Sequence, residues 1–149
     1  MKGTYCLIIN LKEKSTIKIG SLGKINFDKG CYIYIGSAMN SIIARIKRHL
    51  SDDKKLHWHI DYLLKDQNSE IIDVIFTIST KKLECKLSEF INKKSNNKID
   101  KFGSSDCNCE SHLYYFKKIK NAKIECINAY QNNNMSYFDL KYFNENLNK

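Results

Sequence analysis

The sequence predicts an α+β fold in which a small central mixed or antiparallel sheet is flanked by helices. Three observations support it: segments in which apolar and polar residues alternate, segments with helical periodicity, and an order that interleaves the two kinds. The chain has 149 residues with 42% hydrophobic side chains, which suits one compact domain. We therefore predict a single domain over residues 1–149, with a core at about 3–92 and a C-terminal extension at about 102–149.

Three strands are predicted in the first 36 residues. Residues 4–11 alternate, and residues 16–19 form a second alternating run after a polar turn. We predict that these two segments pair as a hairpin. Residues 31–36 place Tyr32 and Tyr34 on one face of a half-buried strand that ends at Gly36.

Helical periodicity begins at residues 40–50. One predicted face of this helix is apolar, and it consists of Ile42, Ile43, Ile46 and Leu50. The opposite face presents cations and consists of Ser41, Arg45, Arg48 and His49. A second helix is predicted at residues 58–65.

The next segments continue this alternation of strands and helices. Residues 71–78 are apolar on both faces, as in a central strand covered on two sides. A third helix is predicted at about residues 81–94, capped by Thr80, with Glu84 at the margin of its buried stripe.

The C-terminal third is predicted to be less regular. Residues 102–111 are rich in turn-forming residues, and two strands are predicted at residues 113–117 and 123–130. From residue 132 onward we expect a polar tail that contains aromatic residues.

Charge and cysteine usage suggest the kind of partner and the compartment. The 25 lysine and arginine residues exceed the 16 acidic residues, so the net charge is +9 and favours an anionic partner such as nucleic acid, although a merely basic protein also fits. The sequence lacks the long apolar run of a membrane helix and a secretion leader, so we expect a cytoplasmic protein without a membrane partner. The six cysteines are then reduced thiols or metal ligands, with Cys6 and Cys31 in the core.

Five short elements occur in an order that matches a known family. Gly3-Thr4-Tyr5, Tyr34-Ile35-Gly36, Arg45, His49 and Glu84 together resemble the GIY-YIG nuclease superfamily over about residues 3–92. The chain looks most similar to a compact, stand-alone and poorly characterised branch that also carries the HWHIDYLL and FGSSDCNCESH segments. The resemblance implies a GIY-YIG-like fold and a metal-dependent endonuclease.

The sequence departs from the superfamily pattern at three points. Thr4 replaces the isoleucine of the first motif, a change that we expect a strand to tolerate. Tyr5 and Tyr34 are 29 residues apart, so residues 12–30 must form an inserted excursion. The late asparagine of the superfamily has several possible counterparts, namely Asn96, Asn97, Ser105 and Asp106.

The resemblance assigns roles that the chemistry of phosphodiester hydrolysis makes reasonable. Glu84 would hold a single Mg²⁺ or Mn²⁺, which needs few protein ligands. One of Tyr5 and Tyr34 would act as general base and the other would orient water or phosphate; the sequence does not say which. Arg45 would grip a phosphate and favour the phenolate, and His49 would serve as hydrogen-bond donor or proton shuttle.

Further residues are predicted to contact the substrate. At Gly36 a side chain would block the approach of the phosphate, and Ser37 and Arg48 lie beside the predicted catalytic positions. His57 and His59 form an H-x-H-x-D pattern with Asp61, which in an extended chain could bind a transition metal or the phosphate backbone. A structural role, with Trp58 in the core, is the alternative.

A separate group of soft ligands occurs late in the chain. Cys107, Cys109 and His112 could form a structural zinc site with Cys85 or Cys126 as the fourth ligand. The spacing is not that of a standard zinc knuckle, so reduced, uncoordinated cysteines are the alternative.

The sequence therefore predicts a phosphodiester hydrolase that acts on nucleic acid, on DNA rather than RNA, with one divalent metal. A partner protein would supply specificity, because the chain has little room for a targeting domain. Two alternatives stay open: a non-catalytic nucleic-acid-binding module on the same scaffold, and a zinc-stabilised interaction protein.

Overall fold

The structure is a computed structural model that describes residues 1–105 and 107–148. Its strands are β1 (Gly3–Leu11), β2 (Ser15–Lys18), β3 (Lys24–Phe27), β4 (Gly30–Ala38), β5 (Ser69–Ile78), β6 (Asn97–Lys98) and β7 (Leu113–Phe116). Its helices are α1 (Ile42–Leu50), α2 (His59–Lys65), α3 (Glu84–Lys94), α4 (Ile119–Asn132) and α5 (Leu140–Asn146). A short 3-10 helix spans Gly20–Leu22.

A five-stranded antiparallel sheet forms the centre of the fold. Its strand order is β5-β1-β4-β7-β6, and each neighbouring pair is antiparallel. Helices and a second, two-stranded sheet accompany it. The predicted α+β class is therefore confirmed.

The predicted hairpin between the first two strands is wrong. β1 pairs with β4 on one edge and with β5 on the other, so both of its edges are occupied. β2 pairs instead with β3, from Ser15 opposite Phe27 to Lys18 opposite Lys24. The excursion predicted at residues 12–30 is this small sheet.

Alternation along β1 places successive side chains in two different cores. Tyr5, Leu7 and Ile9 pack with α1, α2, α5 and the small sheet. Cys6 and Ile8 pack on the other face with α3 and α4. Cys6 and Cys31 are fully buried, as predicted.

The strand predicted at residues 123–130 is wrong, because this segment belongs to α4. Its buried residues are Ala122, Cys126, Ala129 and Tyr130, and this spacing is that of one helix face. Ile124, two residues before the buried Cys126, is 47% exposed, so these two side chains do not share one buried face as they would in a strand.

β5 lies at an edge of the sheet, and the C-terminal segment covers part of that edge. β5 was predicted to be central, but it is an edge strand of the five-stranded sheet. Phe138 covers its outer edge through backbone hydrogen bonds to Phe76 in both directions, and Phe143 of α5 packs in the core. The predicted polar tail therefore contains a bridge at Phe138 that covers part of the sheet edge and a helix, α5, that packs in the core.

Two details of the helices also differ from the predictions. His49 was predicted on the solvent-facing side of α1 but is buried, together with Ile42 and Ile46. α3 begins at Glu84, not near Thr80, and its N-cap residue is Leu83. The Ser79 hydroxyl accepts a hydrogen bond from the Lys81 amide in the turn that precedes the helix. Within the described part of the chain, the helices are too short or too polar to cross a membrane.

Candidate functional site

A polar pocket of about 270 Å³ opens where β1 and β4 meet the helices. Antiparallel pairing sets Tyr5 opposite Gly36 and Leu7 opposite Tyr34, so the two tyrosines are diagonal neighbours on one face of the sheet. Their ring centroids are 6.4 Å apart. The lining residues come from six separate segments: Tyr5, Tyr34, Gly36, Ser37, Arg45, His57, Trp58, His59, Glu84, Gly103 and Ser105.

Gly36 makes room for the Tyr5 ring. A Cβ atom at position 36 would lie 2.5 Å from Cζ of Tyr5, and closer still to its hydroxyl oxygen. Any side chain would therefore push the phenol out of the pocket. The sequence predicted that Gly36 matters for the approach of phosphate, whereas the structure gives it an intramolecular reason.

Tyr5 is paired with a buried histidine. Its hydroxyl oxygen lies 2.7 Å from Nε2 of His49, and both side chains are almost completely buried. Burial lowers the pKa of His49 to about 3, so the imidazole is neutral at physiological pH. A neutral imidazole has one nitrogen free to accept the phenol proton. Nδ1 of His49 has no hydrogen-bond partner among the described residues.

Burial opposes ionisation of both tyrosines. It raises the pKa of the Tyr5 and Tyr34 phenols above their usual value, and the positive charge of Arg45 opposes this shift in each case. The negative charge of Glu84 raises both pKa values further. Neither phenol is therefore a base at neutral pH unless further positive charge enters the pocket.

Arg45 enters the pocket from α1 and is held on two sides. Its Nη1 donates a hydrogen bond to the carbonyl oxygen of Ser37 at 3.0 Å. Its guanidinium lies over the Trp58 ring, 4.4 Å from the ring centroid, where cation–π attraction fixes it. A guanidinium held in this way can meet an anionic ligand without losing much conformational freedom.

Arg48 does not line the pocket, although it was predicted to contact the substrate. Its two terminal nitrogens each lie 2.9 Å from a carboxylate oxygen of Asp61, and its guanidinium also lies over Trp58. Asp61 is fully buried and also accepts hydrogen bonds from the backbone amides of His57 and Trp58. Arg48 and Asp61 thus hold the start of α2 against α1.

The residues of the H-x-H-x-D pattern have two different roles. His57 and His59 line the pocket, and Nδ1 of His59 accepts a hydrogen bond from the Gly103 amide at 2.9 Å. The Asp61 carboxylate points to Arg48 instead. The three side chains therefore do not form one metal site, and Trp58, which the structural alternative placed in the core, lines the pocket between the two histidines.

Glu84 lies in the first turn of α3, where the helix dipole favours a negative charge. Its Oε2 accepts a hydrogen bond from the Ser37 hydroxyl at 2.8 Å, and its Oε1 lies 3.1 Å from Nε2 of His112. Burial disfavours the carboxylate, but the hydrogen bonds from His112 and Ser37 hold the pKa of Glu84 below its usual value. Glu84 is therefore ionised at neutral pH.

Next to Glu84 lies a cluster of side chains that could hold a metal ion. Its members are Cys85, Cys107, Cys109 and His112, whose ligand atoms all lie within 4.8 Å of one another. Cys85 is the fourth member that the sequence left open, and Cys126 is instead buried in the core on the inner face of α4.

The residues that could correspond to the late asparagine of the superfamily lie in different environments. Ser105 lines the pocket. The Asn96 side chain accepts a hydrogen bond from the Lys117 amide, and the Asn97 side chain accepts one from the Lys98 amide, so both are used in local structure. Asp106 lies outside the described residues.

A family model described as "Domain of unknown function DUF123" matches residues 4–135. The chain belongs to the DUF123 family. The match includes the strands and helices that supply the pocket and also the cysteine cluster. No curated protein and no solved structure matched the chain significantly. Family membership therefore does not assign an activity to this DUF123 protein.

Most of the predicted site residues meet in this DUF123 protein. Eight line the pocket directly, namely Tyr5, Tyr34, Gly36, Ser37, Arg45, His57, His59 and Glu84. His49 supports Tyr5 from behind, and Arg48 lies outside. Sequence reasoning missed Trp58 and Gly103 as lining residues, because only the fold brings them to the pocket.

Proposed function

We propose that this DUF123 protein is a metal-dependent endonuclease related to the GIY-YIG superfamily. The observation that carries the proposal is the convergence of two phenols, a guanidinium and one carboxylate in a single pocket. These groups come from β1, β4, α1 and α3, so they meet only in the folded chain. Hydrolysis of a phosphodiester needs a proton acceptor, charge stabilisation and a metal ligand, and the pocket offers a candidate for each.

Arg45 is the group that we assign to the phosphate. Its guanidinium can donate two parallel N–H groups to phosphate oxygens, and its contacts with Ser37 and Trp58 already fix its position. The histidines that flank Trp58 can donate hydrogen bonds to neighbouring phosphates. We propose nucleic acid as the substrate, because the net charge of +9 also favours a polyanion. The choice of DNA rather than RNA rests on the resemblance to the GIY-YIG superfamily and not on the charge.

Tyr5 and His49 form the pair that can move a proton. The 2.7 Å contact is short enough for the phenol to pass its proton to the neutral imidazole as it takes one from water. Burial lowers the pKa of His49 to about 3, so this step requires the negative charge of the bound phosphate to stabilise the imidazolium that forms. Tyr34, 6.4 Å away between ring centroids, can orient the water or the phosphate. The reverse assignment of the two tyrosines is also compatible with the geometry.

The residues of the pocket fit a hard divalent ion. Glu84 supplies one ionised carboxylate at the pocket wall, and Mg²⁺ or Mn²⁺ is commonly held by one or two carboxylates together with substrate oxygens. Such an ion would supply Lewis-acid polarisation of a phosphoryl oxygen. Its positive charge would also offset the burial that raises the pKa of Tyr5 and Tyr34.

One observation favours a second function, namely nucleic-acid binding without cleavage. Burial raises the pKa of both phenols, and a general base must first lose its proton. A pocket that keeps both tyrosines protonated would still hold phosphate through Arg45. Metal-dependent turnover separates the two functions.

The experiment that tests the proposal is cleavage of a panel of labelled DNA and RNA structures in Mg²⁺, Mn²⁺ or EDTA. We expect cleavage of at least one DNA structure with either metal and none with EDTA. Binding to the whole panel without cleavage in any metal would support the second function and contradict the first.

A matched pair of variants links cleavage to the pocket. Tyr34→Phe removes a hydroxyl that lines the pocket, whereas Tyr32→Phe removes one from the same face of β4, where it donates to the carbonyl oxygen of Asp28. We expect Tyr34→Phe to lower the cleavage rate by about 10²-fold or more and Tyr32→Phe to leave it unchanged. Equal loss in both variants would indicate a structural effect.

A further inference from the structure

Three thiols and one imidazole converge between α3 and the loop that precedes β7. Cys85 lies in the first turn of α3, Cys107 and Cys109 lie in the loop, and His112 directly precedes β7. Sγ of Cys109 is 2.7 Å from Sγ of Cys85, and Sγ of Cys107 is 3.0 Å from Nε2 of His112. The Cys85–Cys109 separation exceeds the length of about 2.05 Å that a disulfide bond requires.

Helix α3 also orients the imidazole. Oγ of Ser88 lies 2.6 Å from Nδ1 of His112, and both groups are buried. Ser88 follows Cys85 by three residues, so the two side chains lie on the same side of the helix. With Nδ1 bonded to the hydroxyl, Nε2 faces the thiols. Histidine ligands of metals usually bond through the second ring nitrogen in this way, which fixes the ring.

The composition of the cluster identifies the ion. Three cysteines and one histidine are a frequent ligand set of structural zinc, which binds four ligands in a tetrahedron with Zn–S distances of about 2.3 Å. The ligand atoms of the cluster already lie within 4.8 Å of one another, so small shifts would complete a tetrahedron. Soft thiolates do not suit Mg²⁺ or Mn²⁺, which prefer oxygen.

We propose that Cys85, Cys107, Cys109 and His112 bind one structural Zn²⁺ ion that fastens the loop before β7 to the start of α3. The loop includes Gly103 and Ser105, which line the pocket, and α3 supplies Glu84. The ion thus joins two walls of the pocket from outside it. This site stands on its own geometry and does not depend on the proposed nuclease activity.

Zinc and Glu84 compete for the same nitrogen. Nε2 of His112 lies 3.1 Å from Oε1 of Glu84, but an imidazole nitrogen that ligates zinc carries no proton to donate. Zinc binding therefore releases Oε1 into the pocket and leaves Glu84 with its hydrogen bond from Ser37. The zinc-bound form has the more available carboxylate.

The test is the zinc content of the full chain, purified under reducing conditions and exposed to equimolar Zn²⁺. We expect about one zinc per chain in the wild type. Cys85→Ala should weaken zinc binding by about 100-fold or more in competition with a chelator, because it removes a ligand. Cys126→Ala is the matched control, since Cys126 is a cysteine outside the cluster, and it should bind zinc as the wild type does.

Substitution by Co²⁺ gives a readout that is independent of stability. Cys85 is exposed, so Cys85→Ala does not remove core packing, and circular dichroism checks that the variant stays folded. The wild type should show the intense visible bands of tetrahedral Co²⁺ with thiolate ligands, and these bands should weaken in Cys85→Ala. A wild-type chain that takes up neither ion, or an unchanged affinity in Cys85→Ala, would overturn the proposal.

Discussion

At the level of single residues, the position of the Tyr5 side chain depends on two neighbouring residues. His49 lies 2.7 Å from its hydroxyl oxygen, and Gly36 leaves space for its ring. Both relationships are absent from any single sequence motif. They arise because β1 and β4 pair in one register and because α1 buries His49 against that pair.

The buried state of His49 predicts a specific dependence of stability on pH. The pKa of His49 is about 3 in the folded protein and about 6.5 in an unfolded chain, so the unfolded state binds an extra proton between these values. The contribution is complete above the unfolded pKa and is lost as the pH falls towards 3. We expect the free energy of unfolding of the wild type to fall more steeply than that of His49→Gln, by up to about 1.4 kcal/mol per pH unit.

Urea denaturation of the two proteins between pH 7 and pH 4 measures this difference. Glutamine keeps an acceptor for the Tyr5 hydroxyl but does not titrate, so it is a suitable reference. If the free energies of unfolding of the two proteins fell in parallel over this pH range, the pKa of His49 would not be lowered in the folded state.

The substitution Gly36→Ala should produce a steric clash with the Tyr5 side chain. The new Cβ would lie 2.5 Å from Cζ of Tyr5, so we expect a loss of about 1–3 kcal/mol in the free energy of unfolding. In a Tyr5→Leu background, which removes the phenol, the same substitution should cost clearly less. Urea denaturation of the four proteins in this double-mutant cycle gives the coupling. An equal cost in both backgrounds would place the strain elsewhere.

At the level of elements, the junction of α1 and α2 depends on one buried carboxylate. Asp61 is fully buried and bonds both terminal nitrogens of Arg48 and two backbone amides at the start of α2. Without the Asp61 carboxylate, the Arg48 guanidinium and the two backbone amides would lose their hydrogen-bond acceptor. We expect Asp61→Ala to lower the free energy of unfolding by about 3–5 kcal/mol, measured by urea denaturation.

An exposed aspartate in the loop between α1 and α2 provides the control. Asp53→Ala should change the free energy of unfolding by no more than about 0.5 kcal/mol. If Asp61→Ala also had an effect this small, the Arg48–Asp61 pair would not hold the two helices together.

The sequence predicted those elements whose periodicity is long and consistent. β1, β4, α1 and α2 were predicted within a few residues, because each has a clear apolar pattern. Residues 123–130 were predicted as a strand but belong to α4, and a segment of a few residues is too short to separate the two periodicities. Strand pairing was the harder problem: local pattern does not reveal that β5 occupies the second edge of β1 and excludes β2.

At the level of the whole molecule, the sheet separates two cores and the pocket joins them at one end. Tyr5 belongs to the core with α1 and α2, whereas Glu84 begins α3 on the opposite face. The sequence predicted which side chains meet, because their order resembles a known superfamily. It could not predict Trp58 between the arginines or the choice of Cys85 over Cys126, since both depend on tertiary packing.

The central claim is that Glu84 is the carboxylate on which metal-dependent cleavage depends. Glu89 lies on the same helix, is exposed and pairs with Lys93, so it is a matched control for loss of a carboxylate on α3. The measurement is the single-turnover cleavage rate in Mg²⁺ of the best DNA substrate by the wild type, Glu84→Gln and Glu89→Gln, with DNA binding and circular dichroism checked for each. We predict that Glu84→Gln loses about 10²-fold or more in rate while binding DNA, and that Glu89→Gln keeps the wild-type rate. Cleavage by Glu84→Gln at the wild-type rate would contradict the account.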